Sequence, residues 1–249
     1  MLSNRNNTRK PYAVYVILTI NTILIVLMEF NGTSTNPNTL NDFGALNSIG
    51  ILHGQYWRLV TAIFLHIGFM HYAVNSVSLF IIGSLTERIY GSYKFILIYL
   101  ISGIFASSLS FVFSPSNSIG AGASGAIFGL LSSLGSFYLI NRDKLGKYGK
   151  QNFNAILMLA VINLGFGFMN QGIDNWAHIG GLLAGYPLAI ILRNVKVNLT
   201  SLRTICYVSL LIVLFIIFIY WGRENIQNSK EYEQLMFHDN ITKMPTTHI

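Results

Sequence analysis

The 249-residue sequence predicts an all-α membrane protein of seven spans, with its N-terminus inside and its C-terminus outside. Three observations carry that expectation. Only 10% of the residues are charged and mean hydropathy is +0.51, whereas a soluble domain carries about 25% charged residues. Seven apolar segments approach the ~20 residues that cross the hydrocarbon layer, and none alternates as a barrel strand does. Lysine and arginine also crowd into every second connection. Backbone polar groups in lipid must pair within their own segment, so each apolar run reads as a helix.

The first span, 12–28, follows Arg5, Arg9 and Lys10 and so imitates a secretory signal. It is long for one and runs into Met28-Glu29-Phe30 with no small-residue cleavage site, so it reads as a retained helix. A long outer loop, 31–68, comes next. Its Tyr56 and Trp57, followed by apolar residues up to Leu65, suit a segment lying in the membrane interface. The remaining spans are expected at 69–85, 95–113, 121–140, 153–169, 176–192 and 205–221. This divides the chain into an inner N-terminus (1–11), a six-helix core (12–192), an inner loop with a seventh helix (193–221) and a polar outer tail (222–249).

Orientation follows from the cations. With the N-terminus inside, the inner segments hold Arg5, Arg9, Lys10, Arg88, Lys94, Arg142, Lys144, Lys147, Lys150, Arg193, Lys196 and Arg203. The outer segments hold only Arg58, Arg223, Lys230 and Lys243, so the distribution is 12 against 4 and the positive-inside rule selects N-in, C-out. The net charge of +7 is thereby an orientation signal, and a nucleic-acid partner is not expected. The single cysteine, Cys206, forms no internal disulfide, and no Cys/His cluster has zinc-site spacing, so no metal or cofactor is expected.

Two residues stand out against this apolar background. Ser124 lies in Gly122-Ala123-Ser124-Gly125, about four residues or ~6 Å into the fourth span as bounded above. His178, in Ala177-His178-Ile179-Gly180-Gly181, lies about three residues into the sixth. Both spans start outside, so the two groups sit at matching depth. An intramembrane histidine is a site hypothesis by default. A serine hydroxyl becomes an effective nucleophile when an adjacent base removes its proton, and a neutral imidazole is that base near pH 7. The plainer reading of the surrounding glycines and alanines is a packing seam that lets helices approach. Here each seam also delivers one reactive group at one height. His71 and Asn75, four apart on the second span, share a face and can donate to a developing oxyanion together with the Ser124 N–H. They can equally be a structural pair stitching helices, and His66 reads as structural or interfacial. Other hydrolytic chemistries lack their residues. There is no H-E-x-x-H, no aspartate within a span, and Ala126 stands where a nucleophile elbow has glycine.

Gly122-Ala123-Ser124-Gly125, His71-x-x-x-Asn75 and Ala177-His178-x-x-Gly181-x-x-x-Gly185 resemble the rhomboid family of intramembrane serine proteases. Trp57-Arg58, His66 and Glu87-x-x-x-Gly91-Ser92 extend the resemblance, which runs from about Trp57 to Leu192. It implies a rhomboid-like six-helix core plus one C-terminal helix. Ser124 would be the nucleophile and His178 the general base, as a dyad without an acid. His71, Asn75 and the Ser124 N–H would form the oxyanion hole. Gly122, Gly125, Gly181 and Gly185 would permit close packing, and Trp57, Arg58 and Glu87 would brace loops. Phe128 takes a place where relatives often carry a tyrosine stacked on the base. The function implied is cleavage of single-pass or multi-pass membrane proteins near the outer face of the cell membrane. A non-catalytic scaffold of the same fold, distinguished by failure to react with a fluorophosphonate, stays open. So does a transporter using His178 as a proton relay, although no buried acidic partner or pair of broken half-helices is visible in the sequence.

Overall fold

The structure, a computed structural model, describes residues 10–170, 172–192 and 202–228. Arg5, Arg9, Arg193, Lys196, Lys230 and Lys243, and the tail beyond 228, lie outside the described residues. Each of the seven apolar segments falls on a helix. Helix α1 is Tyr12–Phe30, and the outer loop folds into three short helices, α2 (Pro37–Asp42), α3 (Ser48–Leu52) and α4 (Arg58–Thr61). Helices α5 (Phe69–Ser78) and α6 (Ser84–Tyr90) are joined by a π-helical turn, Leu79–Gly83, into one rod. Helices α7 (Ser92–Phe113), α8 (Ser124–Ile140), α9 (Arg142–Met169), α10 (Asn175–Leu192) and α11 (Leu202–Gln227) complete the chain.

Six of these rods are long and apolar enough to cross a membrane: Tyr12–Phe30, Phe69–Tyr90, Ser92–Phe113, Arg142–Met169, Asn175–Leu192 and Ile205–Gln227. Helix α8 is apolar but has only 17 residues, or ~25 Å at 1.5 Å per residue, short of a ~30 Å hydrocarbon layer. Its short length corrects one sequence expectation. The fourth span does not begin near Ala121; helix starts at Ser124 itself. The residues before it are held extended instead. Gly120 and Leu46 exchange two backbone hydrogen bonds of 2.8 Å, and Gly122 N–H donates to the Ala62 carbonyl at 2.9 Å. Those partners come from the outer loop, so the chain enters α8 as a strand-like segment. The seventh apolar helix also outruns its expected end. Residues 222–227, read as the start of the tail, continue α11.

The centre of the fold is α7, α8 and α10. The most apolar stretch of α7 is 72% buried and that of α10 56%, against 11% for α9 and 6% for α11. Glycine makes the central contact possible. A Cβ built on Gly181 or Gly185 would overlap the carbonyl oxygen of Gly125 or Gly129, and one on Gly180 would come within 2.9 Å of Ala106 Cα. Small residues thus let backbone meet backbone, the packing that substitutes for a hydrophobic driving force inside lipid.

A buried carboxylate ties the first helix to this bundle. The first N–H groups of a helix have no internal partner. Those of Ala13 and Val14 in α1 donate to the buried Glu87 carboxylate at 3.0 and 2.9 Å, and Ser92 Oγ donates to it at 2.6 Å. Glu87 therefore caps the first helix and holds it to the α6–α7 corner with charge-assisted hydrogen bonds.

Candidate active site

Ser124 is the first residue of α8 and is half-buried. No side chain among the described residues caps that helix start, and the N–H groups of its first turn form the positive helix end, an arrangement suited to binding a developing negative charge. One turn along, Phe128 lies flat on the imidazole of His178, with ring centroids 4.1 Å apart and planes 9° from parallel. Gly125 and Gly181, neighbours of these two residues, form the α8–α10 backbone contact described above, and a Cβ on Gly125 would come 3.2 Å from the Ala177 carbonyl. The imidazole is thereby fixed against the first turn of the helix that Ser124 begins. His178 is buried, and its Nδ1 meets no hydrogen-bond partner among the described residues.

His71 comes from α5. A Cβ on Gly122 would sit 3.0 Å from His71 Nε2 and 3.8 Å from Ser124 Oγ, so glycine there is what lets imidazole and hydroxyl border the same space. Ile67 N–H donates to His71 Nδ1 at 3.4 Å. In the neutral ring the proton then sits on Nε2, the nitrogen turned toward Gly122, which makes His71 a donor in the direction of Ser124. Asn75 is buried and donates one amide proton to the His71 backbone carbonyl, one turn back on α5, at 3.0 Å. His66 is fully buried, with its ring edge-on to His71 and Tyr72 at centroid distances of 5.4 and 5.7 Å.

A small open cleft lies beside Ser124, walled by Gly122, Ser107, Ser110, Asp174 and Ala177. Asp174, an aspartate outside the expected spans, is part of this wall. Its carboxylate accepts from the Ala177 N–H at 2.9 Å, capping α10, and from Ser110 Oγ and Ser114 Oγ of the α7 end, the latter at 3.3 Å. It sets where α10 starts, and hence where His178 lies. The signal was available: aspartate immediately before an apolar helical run is an N-cap signature.

Arg58 and Trp57 lie farther out. The buried Arg58 donates to Gln55 Oε1 at 2.6 Å and to the Asn41 and Ala45 carbonyls at 2.9 and 2.8 Å, knotting the outer loop together. Burial draws its guanidinium below the ordinary range, with the Asp42 charge opposing. Trp57 stacks under it at 4.7 Å and is half exposed. Among the described residues no cluster of three His, Cys, Asp or Glu is placed to hold a metal ion.

Comparison with known proteins places this geometry in context. The family described as "Rhomboid domain" matches residues 53–195. The chain is 41% identical over 243 residues to "Rhomboid protease GluP" of Bacillus subtilis (strain 168), covering 94% of this chain and 47% of that protein. It is 35% identical over 144 residues to "Putative rhomboid protease YdcA" of the same organism, covering 58% and 71%. It is 39% identical over 171 residues to "RHOMBOID-like protein 4" of Arabidopsis thaliana, covering 66% and 43%. The chain thus spans about half the length of the first and third of these relatives.

Proposed function

The chain belongs to the rhomboid family, and from that premise we propose that it is an intramembrane serine endopeptidase working through a Ser124–His178 dyad. The observation that carries the reading is the α8–α10 contact. It fixes an imidazole, stacked on Phe128, against the first turn of a helix that begins with a serine.

In this mechanism His178 takes the Ser124 Oγ proton as the oxygen attacks the scissile carbonyl carbon, and the carbonyl π pair moves onto oxygen. His71 Nε2–H, the Asn75 amide and the Ser124 backbone N–H receive that oxyanion. Donors of this kind are worth ~3–4 kcal/mol each in a dry site. Collapse of the tetrahedral species breaks the C–N bond, and His178 returns the proton to the departing amine. Water, deprotonated by His178, then attacks the acyl-enzyme and releases Ser124. No cofactor or metal enters any step.

The substrate class is a transmembrane segment of another single-pass or multi-pass membrane protein, or the stretch next to it. Because a helix hides its carbonyls in hydrogen bonds, the cut falls where Gly or Pro weakens the helix. We place the protein in the cell membrane with seven spans, α8 and α11 among them, N-terminus inside, so that cleavage occurs near the outer face.

The test is fluorophosphonate labelling of the detergent-purified protein alongside cleavage of a reporter transmembrane substrate. Wild type is expected to be labelled and to cleave. Ser124→Ala is expected to lose both, and His178→Ala to lose cleavage. Full cleavage by either variant rejects the dyad, and an unlabelled, inactive wild type points to a non-catalytic scaffold.

A further inference from the structure

Helix α11 has little buried surface, yet its outer end is tied to one place. Arg223 Nη1 donates to the carbonyls of Ile51 and Leu52, both at 3.2 Å, and to Tyr56 Oη at 2.8 Å. All three acceptors belong to the outer loop, on and just after α3. Around them Trp221 meets Phe113 edge-on at 5.3 Å, and Ile226 is buried with Leu46, Ile51, Leu59, Phe111 and Val112. A Cβ on Gly222 would come 2.6 Å from the Phe111 ring. Phe113 in turn stacks on Trp176 at 4.6 Å, two residues before His178.

The loop segment that Arg223 grips is the one that shapes the entry to α8. Asn47 Oδ1 caps α3 by accepting from Gly50 N–H at 2.6 Å. The preceding residue, Leu46, pairs with Gly120, and Gly122 N–H is held by Ala62. A few residues therefore connect the guanidinium to the glycine that keeps His71 and Ser124 beside one another.

We propose that Arg223 is a positioning residue: the seventh helix clamps the outer loop, and the clamped loop holds the strand-like segment that presents Ser124. The proposal builds on the proteolytic reading for its catalytic consequence, but its mechanical part stands apart from it. A charge-assisted bond to a carbonyl is among the stronger hydrogen bonds, and three from one group select one loop position.

The test uses the full chain in lipid nanodiscs, as wild type, Arg223→Ala, Arg223→Lys and the lipid-facing control Ile217→Ala. Hydrogen exchange is followed at the amides of Leu46, Gly120 and Gly122. Exchange there is expected to quicken about tenfold in Arg223→Ala, to return toward wild type in Arg223→Lys and to stay at wild type in Ile217→Ala. Tyr56→Phe, which removes one acceptor, is expected to give a smaller increase, on the order of threefold, and serves if Arg223→Ala does not fold. Turnover per fluorophosphonate-titrated site is expected to fall about tenfold in Arg223→Ala with a smaller change in KM. Titration counts folded sites only, so a merely structural arginine would leave this number alone. Unchanged exchange at those amides, or unchanged turnover per titrated site, overturns the proposal. A wild type that neither labels nor cleaves, while the exchange pattern still follows Arg223, removes the protease reading and leaves the clamp.

Discussion

Helices α8 and α9 are adjacent in the chain and comparably apolar in their membrane portions, yet they are built on different rules. Helix α8 is sealed between α7 and α10, where Gly125 and Gly129 meet the backbone of α10 so closely that no side chain fits at Gly181 or Gly185. Helix α9 has 11% of its most apolar stretch buried, and a Cβ at its Gly165 would touch nothing within 4 Å. The first helix is specified by shape and the second mainly by solubility in lipid. Holding reactive groups in place favours the first kind, because a misplacement of about 1 Å can cost ~10²-fold in rate.

The comparison breaks first at its most crowded point. Gly181→Val is expected to destabilise the protein by ~3 kcal/mol or more, because the new Cβ falls on the Gly125 carbonyl and neither helix can yield cheaply. Thermal unfolding in detergent reads this, and a variant melting with wild type would mean that the seam is looser than its geometry. Next is His71→Ala, which tests chemistry without disturbing the seam. Turnover is expected to fall by ~10²–10³ with unfolding little changed, whereas a proportionate loss of both would make His71 a packing residue.

Phe128→Leu keeps an apolar side chain at the site but removes the flat contact with His178. A stacked aromatic pair is worth ~0.5–1.5 kcal/mol beyond area, so kcat/KM is expected to drop up to about tenfold. An unchanged value would show that the base needs no such support. The smallest effect belongs to α9. Gly165→Ala is expected to raise stability slightly, by at most ~1 kcal/mol, since alanine is the better helix former and space is free. A clear loss of stability there would show that α9 packs more closely than the contrast with α8 allows.

Much of this was legible in advance because the bilayer enforces a simple code. The seven apolar stretches emerge as helices, since lipid leaves a polar backbone no other partner. Gly181 and Gly185, which the family resemblance implies are close-packing positions, lie where a side chain would strike a carbonyl. What was missed depended on partners distant in the chain. The start of α8 was misplaced because Gly120 and Gly122 bond to Leu46 and Ala62, whose proximity no local pattern reveals. The end of α11 was cut short because Arg223 looks like the first residue of a polar tail until Ile51, Leu52 and Tyr56 are beside it. Asp174 alone among these was a local signal left unused.

The sequence by itself determined the helical class and the apolar segments that become rods, since these follow from composition and the cost of polar groups in hydrocarbon. Only the tertiary structure decided that Gly122 leaves room for His71, and that Glu87 caps a helix whose Val14 lies 73 positions earlier in the chain. Those relations join residues tens of positions apart. Chain connectivity does not encode such distances; close packing of the whole fold does.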